Sequence, residues 1–177
     1  LGDATNLLPR EAQTVISYPM TRTLASSLRT IALDAEGGYS APKFRERLGI
    51  DLQDVARVLN ALHPKEDWVF TLVQTSKPYK KEAVSVGLRL DSAVKVAAKG
   101  SGRQHEMFPV KADLDSLGNL LLKVNQVRED CCVAFVDATT LAFGDRKAVK
   151  VFLEEDMAPK PRDENLAREE TPPAGGG

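Results

Sequence analysis

The chain has 177 residues, 42% of them apolar and 28% charged, and a core of that size needs neither a metal nor a disulfide to hold it. No run approaches the roughly 18 apolar residues of a membrane-spanning helix, and the formal net charge of −1 gives no global pull towards polyanions. The charge is unevenly placed: residues 154–177 carry seven acids against three bases, leaving +3 on residues 1–153.

The first residues read as a lead-in containing Leu7-Leu8-Pro9, followed by a β-favouring run, Thr14 to Tyr18, ended by Pro19. From Thr21 to Ala35, the residues Leu24, Leu28, Ile31 and Ala35 lay one apolar stripe along a helix, which Gly37-Gly38 stops. Ser40 as cap, Pro42 in the first turn, Phe44 and Leu48 four apart and Gly49 at the left-handed end predict a short helix over 41–48. Residues 51–62 fit two patterns. Leu52, Val55, Leu59 and Leu62 suit a helix, whereas Val55 to Leu62 also suits a half-buried strand.

Trp68 to Thr75, rich in aromatic and β-branched residues, predicts a strand. Pro78 to Gly87 predicts a helix, although Val84, Val86, Leu88 and Leu90 alternate as a strand would. Val94 to Ala98 and Glu106 to Lys111 flank Gly100-Ser101-Gly102 as a hairpin, and Asn119 to Val124 reads as a further strand. Cys131 to Val136 and Thr140 to Phe143 form a closing hairpin around Asp137, and an amphipathic helix follows over 145–155. Strands and helices alternate early and strands then run in series, which implies an α+β fold: a mixed, largely antiparallel sheet with helices mainly on one face. Residues 1–157 read as a single domain. Residues 158–177, with Pro159, Pro161, Pro172, Pro173 and a glycine end, read as a disordered tail or linker into further protein. The start at Leu1 rather than Met reads as a processed or excised piece. No internal repeat is visible.

The order of five segments resembles an uncharacterised family of exported proteins from planctomycete-type bacteria. Leu7-Leu8-Pro9-Arg10-Glu11-Ala12 is similar to that family's Leu-Pro-x-x-Ala lead-in, and Leu48-Gly49-Ile50-Asp51 with Asp54-Val55 to its Leu-Gly-Ile-Asp…Asp-Val segment before a strand. Thr75-Ser76-Lys77-Pro78-Tyr79 resembles its strand exit, Val136 to Gly144 its late hairpin, and Ala148 to Leu153 its closing helix. The chain departs from the pattern at Ala138, where a second Asp is usual, and by the long stretch 101–130. The resemblance covers most of residues 7–153. It implies an exported or envelope location and tips 55–62 towards strand. It carries no catalytic residues, and a cytoplasmic location stays open on the residues themselves.

Little in the chain forms a reaction centre. Nucleophilic catalysis needs a base beside a nucleophile, and the two histidines, His63 before Pro64 and His105 at a strand start, read as surface residues. Cys131 and Cys132 are adjacent, so they point to opposite faces of a strand and lack the spacing of zinc pairs. One is expected in the core and the other outward with an ordinary thiol of pKa about 8.5. Asp113, Asp115 and Asp137 read as turn formers, and no phosphate-binding loop or cofactor motif is present. Residues 77–111 hold eight bases against three acids, which nominates Lys77, Lys80, Lys81 and Arg103 as an anion-binding surface. Only Tyr79 and Phe108 interleave with those bases, so nucleic acid is disfavoured.

The resulting expectation is a non-enzymatic binding or structural domain of the bacterial envelope or exterior, without metal or cofactor. Its partner would be an envelope component or a domain following the tail. The alternative is a hydrolase-type enzyme with its site on residues 101–130, using His105 with Asp113 or Asp115. The composition of the tail also yields a direct prediction. Truncation after Met157 is expected to leave the melting temperature within about 2 °C of the full chain, measured by circular dichroism, and a larger drop would place the tail in the folded domain.

Overall fold

The computed structural model describes residues 4–9, 11–21, 41–112 and 130–157. The helix expected over 21–35 beyond its first residue, the Ser40 cap, the strand expected over 119–124 and the tail from 158 lie outside them. The described elements run β1 (Thr14–Tyr18), α1 (Ala41–Leu48), β2 (Val55–His63), β3 (Trp68–Thr75), α2 (Lys81–Gly87), β4 (Val94–Ala97), β5 (Gln104–Pro109), β6 (Cys131–Phe135), β7 (Thr140–Asp145) and α3 (Arg146–Glu154).

The seven strands form one sheet in the order β1-β2-β3-β7-β6-β5-β4, and every described strand pair is antiparallel. The chain fills the sheet from one edge to the centre with β1, β2 and β3. It then crosses through α2 to the far edge and returns through β4, β5 and β6 to β7, which closes against β3.

Both faces of the central strands are covered. On one face Phe44 and Leu48 of α1 and Val84 and Leu88 at α2 pack on Val58, Val73, Val133, Leu141 and Phe143. On the other, Leu8 and Ala12 of the lead-in and Val149, Phe152 and Leu153 of α3 pack on Leu59, Phe70, Leu72, Cys132 and Ala142. Two of the three described helices therefore share a face, as expected of this α+β sheet, and α3 takes the opposite one.

The ambiguity at 51–62 resolves into a 3-10 turn over Leu52–Asp54 and then strand β2. β2 lies between β1 and β3, so Val58 is buried on one face and Leu59 and Ala61 on the other. A strand covered on both sides is apolar at nearly every position, which leaves no period to distinguish it from a helix. The second helix starts at Lys81, not Pro78. Residues 78–80 stay extended because the Tyr79 amide donates to the Ala138 carbonyl at 3.1 Å and its hydroxyl donates to the Asp137 carbonyl at 2.5 Å. These two bonds tie the exit of β3 to the β6–β7 hairpin.

α1 and α2 meet backbone to backbone. A Cβ on Gly49 would stand 2.4 Å from the Ala83 carbonyl carbon of α2, and one on Gly87 would stand 2.8 Å from the Arg47 carbonyl oxygen of α1. The contact is thus reciprocal, each helix being approached by the glycine at the end of the other. Gly49 also has φ +69, the left-handed conformation of a helix C-terminus. Gly100 shares the positive φ, at +91, but has open space around it. Gly100→Ala is expected to cost about 1 kcal/mol from backbone strain alone, and Gly49→Ala more than about 2 kcal/mol because a packed contact must open as well. Urea unfolding of the two variants checks this, and equal losses would show that the helix contact yields without cost.

Candidate functional site

Of the four nominated bases, Lys77 and Lys80 line one concavity, Lys81 lines another and Arg103 pairs with Asp156. Lys77 Nζ lies 2.9 Å from Asp54 Oδ1, and that hydrogen bond, with the carboxylate charge behind it, lifts the lysine above its ordinary pKa. Lys77 and Lys80 line a cleft of about 720 Å3 between the end of α1, residues 77–80 and α2. Arg45, Glu46, Asp51, Asp54 and Glu82 also line this cleft, so its acids outnumber its bases. Arg45 pairs with Asp51 at 3.4 Å, and Val86 stands on the rim, 77% exposed. The surplus of positive charge read along the sequence is absent there.

Lys81 turns the other way, into a second hollow of about 470 Å3 between α2 and strands β4, β5 and β6. Its ammonium stands 5.4 Å from the centroid of the Phe135 ring, a cation–π geometry. Phe135 stacks on Tyr79 at 6.0 Å and meets Phe108 edge-on at 5.4 Å, which gives the hollow an aromatic floor. Strand alternation fills the walls. Val94, Val96 and Met107 point to the α3 face, so Lys95, Gln104, Glu106 and Phe108 project to the opposite face and into the hollow. Ser85 lines it from α2 and donates its hydroxyl back to the Lys81 carbonyl at 2.8 Å.

His105 borders the same hollow through its place in β5, but its imidazole takes the alternate direction, beside Val96 and Met107. Nε2 lies 2.6 Å from Asp156 Oδ1, and the His105 side chain is only 12% exposed. Asp156 follows α3, whose end is a Schellman motif: the Asp156 amide donates to Leu153 at 3.0 Å and the Met157 amide to Phe152 at 3.2 Å. Asp156 holds the left-handed position, φ +64, where glycine is usual. A carboxylate is accommodated there because the β4–β5 hairpin engages it, through His105 and through Arg103 at 3.6 Å. Lys99 of that hairpin pairs with Glu154 at 2.8 Å and donates its amide to the Glu154 carbonyl. Arg103 is therefore part of a clamp on the end of α3. The alternative catalytic partners of His105, Asp113 and Asp115, lie outside the described residues.

The remaining candidates hold turns or fill the core. The Glu66 amide donates to His63 Nδ1 at 3.0 Å, and the His63 ring packs on Trp68 at 5.5 Å. Asp137 accepts from the Thr139 amide at 2.7 Å, the turn expected of it. Cys131 and Cys132 are free thiols on opposite faces, Cys132 buried under α3 and Cys131 half-buried on the α1–α2 face. Desolvation pushes Cys131 up to about 12 and Cys132 upward as well. Neither is the ordinary outward thiol that alternation alone suggested, because helices cover both faces of β6. Among the described residues no group of three or more His, Cys, Asp and Glu is placed to hold a metal ion, and no helix is long and apolar enough to cross a membrane.

Comparison of the chain with family models, curated proteins and solved structures returns no match.

Lys95, Phe135 and Asp156 were not nominated from the sequence. Alternation through the β4–β5 hairpin contains the signal for Lys95, since it places Lys95 and Glu106 on one face with Phe108. Nothing local points to Phe135 or Asp156, which reach these positions from distant segments.

The clamp also has a pH signature. The His105 hydrogen bond holds the Asp156 carboxyl below its ordinary 3.8, and the Lys99 hydrogen bond holds Glu154 below its ordinary 4.5. A folded pKa below the unfolded one gives stability that is complete above the unfolded value and is lost as pH falls through the folded value. Stability is expected to decline below about pH 5 and to keep falling beneath the ordinary carboxyl pKa. Asp156→Asn should show a shallower decline than wild type in denaturant melts from pH 7 to pH 2.5. An unchanged slope would remove Asp156 from the acid response.

Proposed function

We propose that this protein is a non-enzymatic binding module of the bacterial envelope or exterior, whose ligand surfaces are the two concavities flanking α2. The observation that carries this reading is the direction of His105. It is the histidine that borders a hollow, and its imidazole is turned to the opposite face and bonded to Asp156. A general base must come within hydrogen-bond reach of the proton it abstracts, and this one is occupied in holding a hairpin to a helix end. His63 is engaged by its own turn, and desolvation raises both thiols above their ordinary pKa, the opposite of the lowered pKa that activates a nucleophilic thiol.

The envelope location rests on the resemblance to exported proteins. An envelope component as partner follows from that location. The enzyme reading makes the opposite demand, that His105 act on a substrate.

An assay separates the two. Wild type and His105→Gln are tested against p-nitrophenyl esters, p-nitrophenyl phosphate and a fluorogenic peptide set. The module reading expects no turnover above buffer in either protein. Turnover in wild type that falls at least 100-fold in His105→Gln, with the melting temperature retained, would establish a hydrolase and end the module reading.

A further inference from the structure

The helix α2 divides charge between its two sides. It turns Glu82 and Val86 into the larger cleft, and Lys81 and Ser85 into the hollow above β4 and β5. In the cleft the neighbouring bases Arg45 and Lys77 are held by Asp51 and Asp54. In the hollow, Lys81 and Lys95 arrive from different elements and form no ion pair among the described residues. Among the described residues Glu106, opposite Lys95 in the ladder, is the one acid lining it. The floor is aromatic, Phe135 and Phe108, and the Gln104 amide supplies a further donor on the wall. A volume of about 470 Å3 falls within the range of small-molecule sites.

We infer that this hollow binds a small aromatic carboxylate, its flat body against Phe108 and Phe135 and its carboxylate between Lys81 and Lys95. The inference rests on the binding-module reading and names the ligand class for one of its two concavities. Three features point to this chemistry. The aromatic floor rewards a flat apolar body. Two ammonium groups that form no ion pair among the described residues reward an anion, and one of them already stands in cation–π contact with Phe135. The single acid, Glu106, opposes that charge and tunes it, so the site discriminates by sign against an aromatic amine of the same shape.

The experiment uses the full chain and three probes of one shape: 2-naphthoate, neutral 2-naphthylmethanol and cationic 2-naphthylmethylamine. Binding is read by 15N and 13C NMR titration. Naphthoate is expected to move the resonances of Ser85, Lys95, Gln104 and the Phe135 ring, with lower affinity at 0.5 M NaCl than in dilute buffer, and to bind more tightly than the other two. Lys81→Ala and Lys95→Ala should each weaken it about fivefold. Glu106→Gln should tighten it about twofold or more, a gain that a misfolded variant cannot produce.

The inference is overturned if the amine binds as tightly as naphthoate, if the shifts map to Val86 and the larger cleft, if Glu106→Gln leaves the affinity unchanged, or if millimolar naphthoate moves nothing. In those cases, absence of turnover in the His105 assay leaves the module reading standing without this ligand. Turnover in that assay removes the module reading whatever naphthoate does.

Discussion

The pairing of β3 with β7 is the constraint on which the rest of this molecule depends. Phe70 to Gln74 lie against Thr140 to Gly144, segments about 70 residues apart, and this is the only described ladder joining the first three strands to the last four. Both strands are nearly fully buried, since helices or the lead-in cover both faces at the centre of the sheet. A polar pair is accommodated beside this seam because it is satisfied internally, the Thr71 hydroxyl donating to Asn60 Oδ1 at 2.7 Å. Burying either group alone would cost its full desolvation.

Because β7 occupies the place beside β3, the chain leaving β3 cannot continue to an adjacent strand and must cross the sheet. α2 is that crossing. It is pinned at its start by Tyr79, whose hydroxyl reaches the hairpin turn before β7, and along its length by the reciprocal glycine contacts with α1. The two concavities on either side of α2 are consequences of this crossing: one is the space between two helices, the other the space between a helix and the strands it has passed over. Both concavities are in this sense a by-product of topology.

Tertiary pairing also redistributes charge. The basic surplus along residues 77–111 is partly cancelled in space, where Asp54 meets Lys77, Glu154 meets Lys99 and Asp156 meets Arg103. Two of those acids come from the acidic run at the end of α3. Glu154 and Asp156 thereby join the end of α3 to Lys99, Arg103 and His105 at one clamp, which fixes the β4–β5 hairpin against the helix end. His105 belongs to the same arrangement, and the direction of its imidazole is the result of strand alternation, not of any property of its neighbours in sequence.

The sequence by itself determined the elements whose cause is local. Residues 14–18, 41–48 and 68–75 read as strand, helix and strand within their observed bounds. A β-branched run, a helix with its own terminating glycine and an aromatic strand each carry their signal inside the segment. The Cys131–Cys132 alternation, the Asp137 turn and the α+β class with its antiparallel sheet were legible for the same reason. Three things were decided only by tertiary structure. The strand at 55–63 was ambiguous because burial on both faces erases periodicity. The start of α2 moved to Lys81 because Tyr79 is held by a hairpin some 60 residues away. The candidate site was redrawn because ion pairing and side-chain direction depend on which strands become neighbours: Lys77 and Arg103 were taken by acids from elsewhere, while Lys95 and Phe135 were brought to Lys81. Local sequence encodes how each segment folds, but the electrostatics of a surface belong to the pairing of strands distant in the chain, and no window of residues contains that pairing.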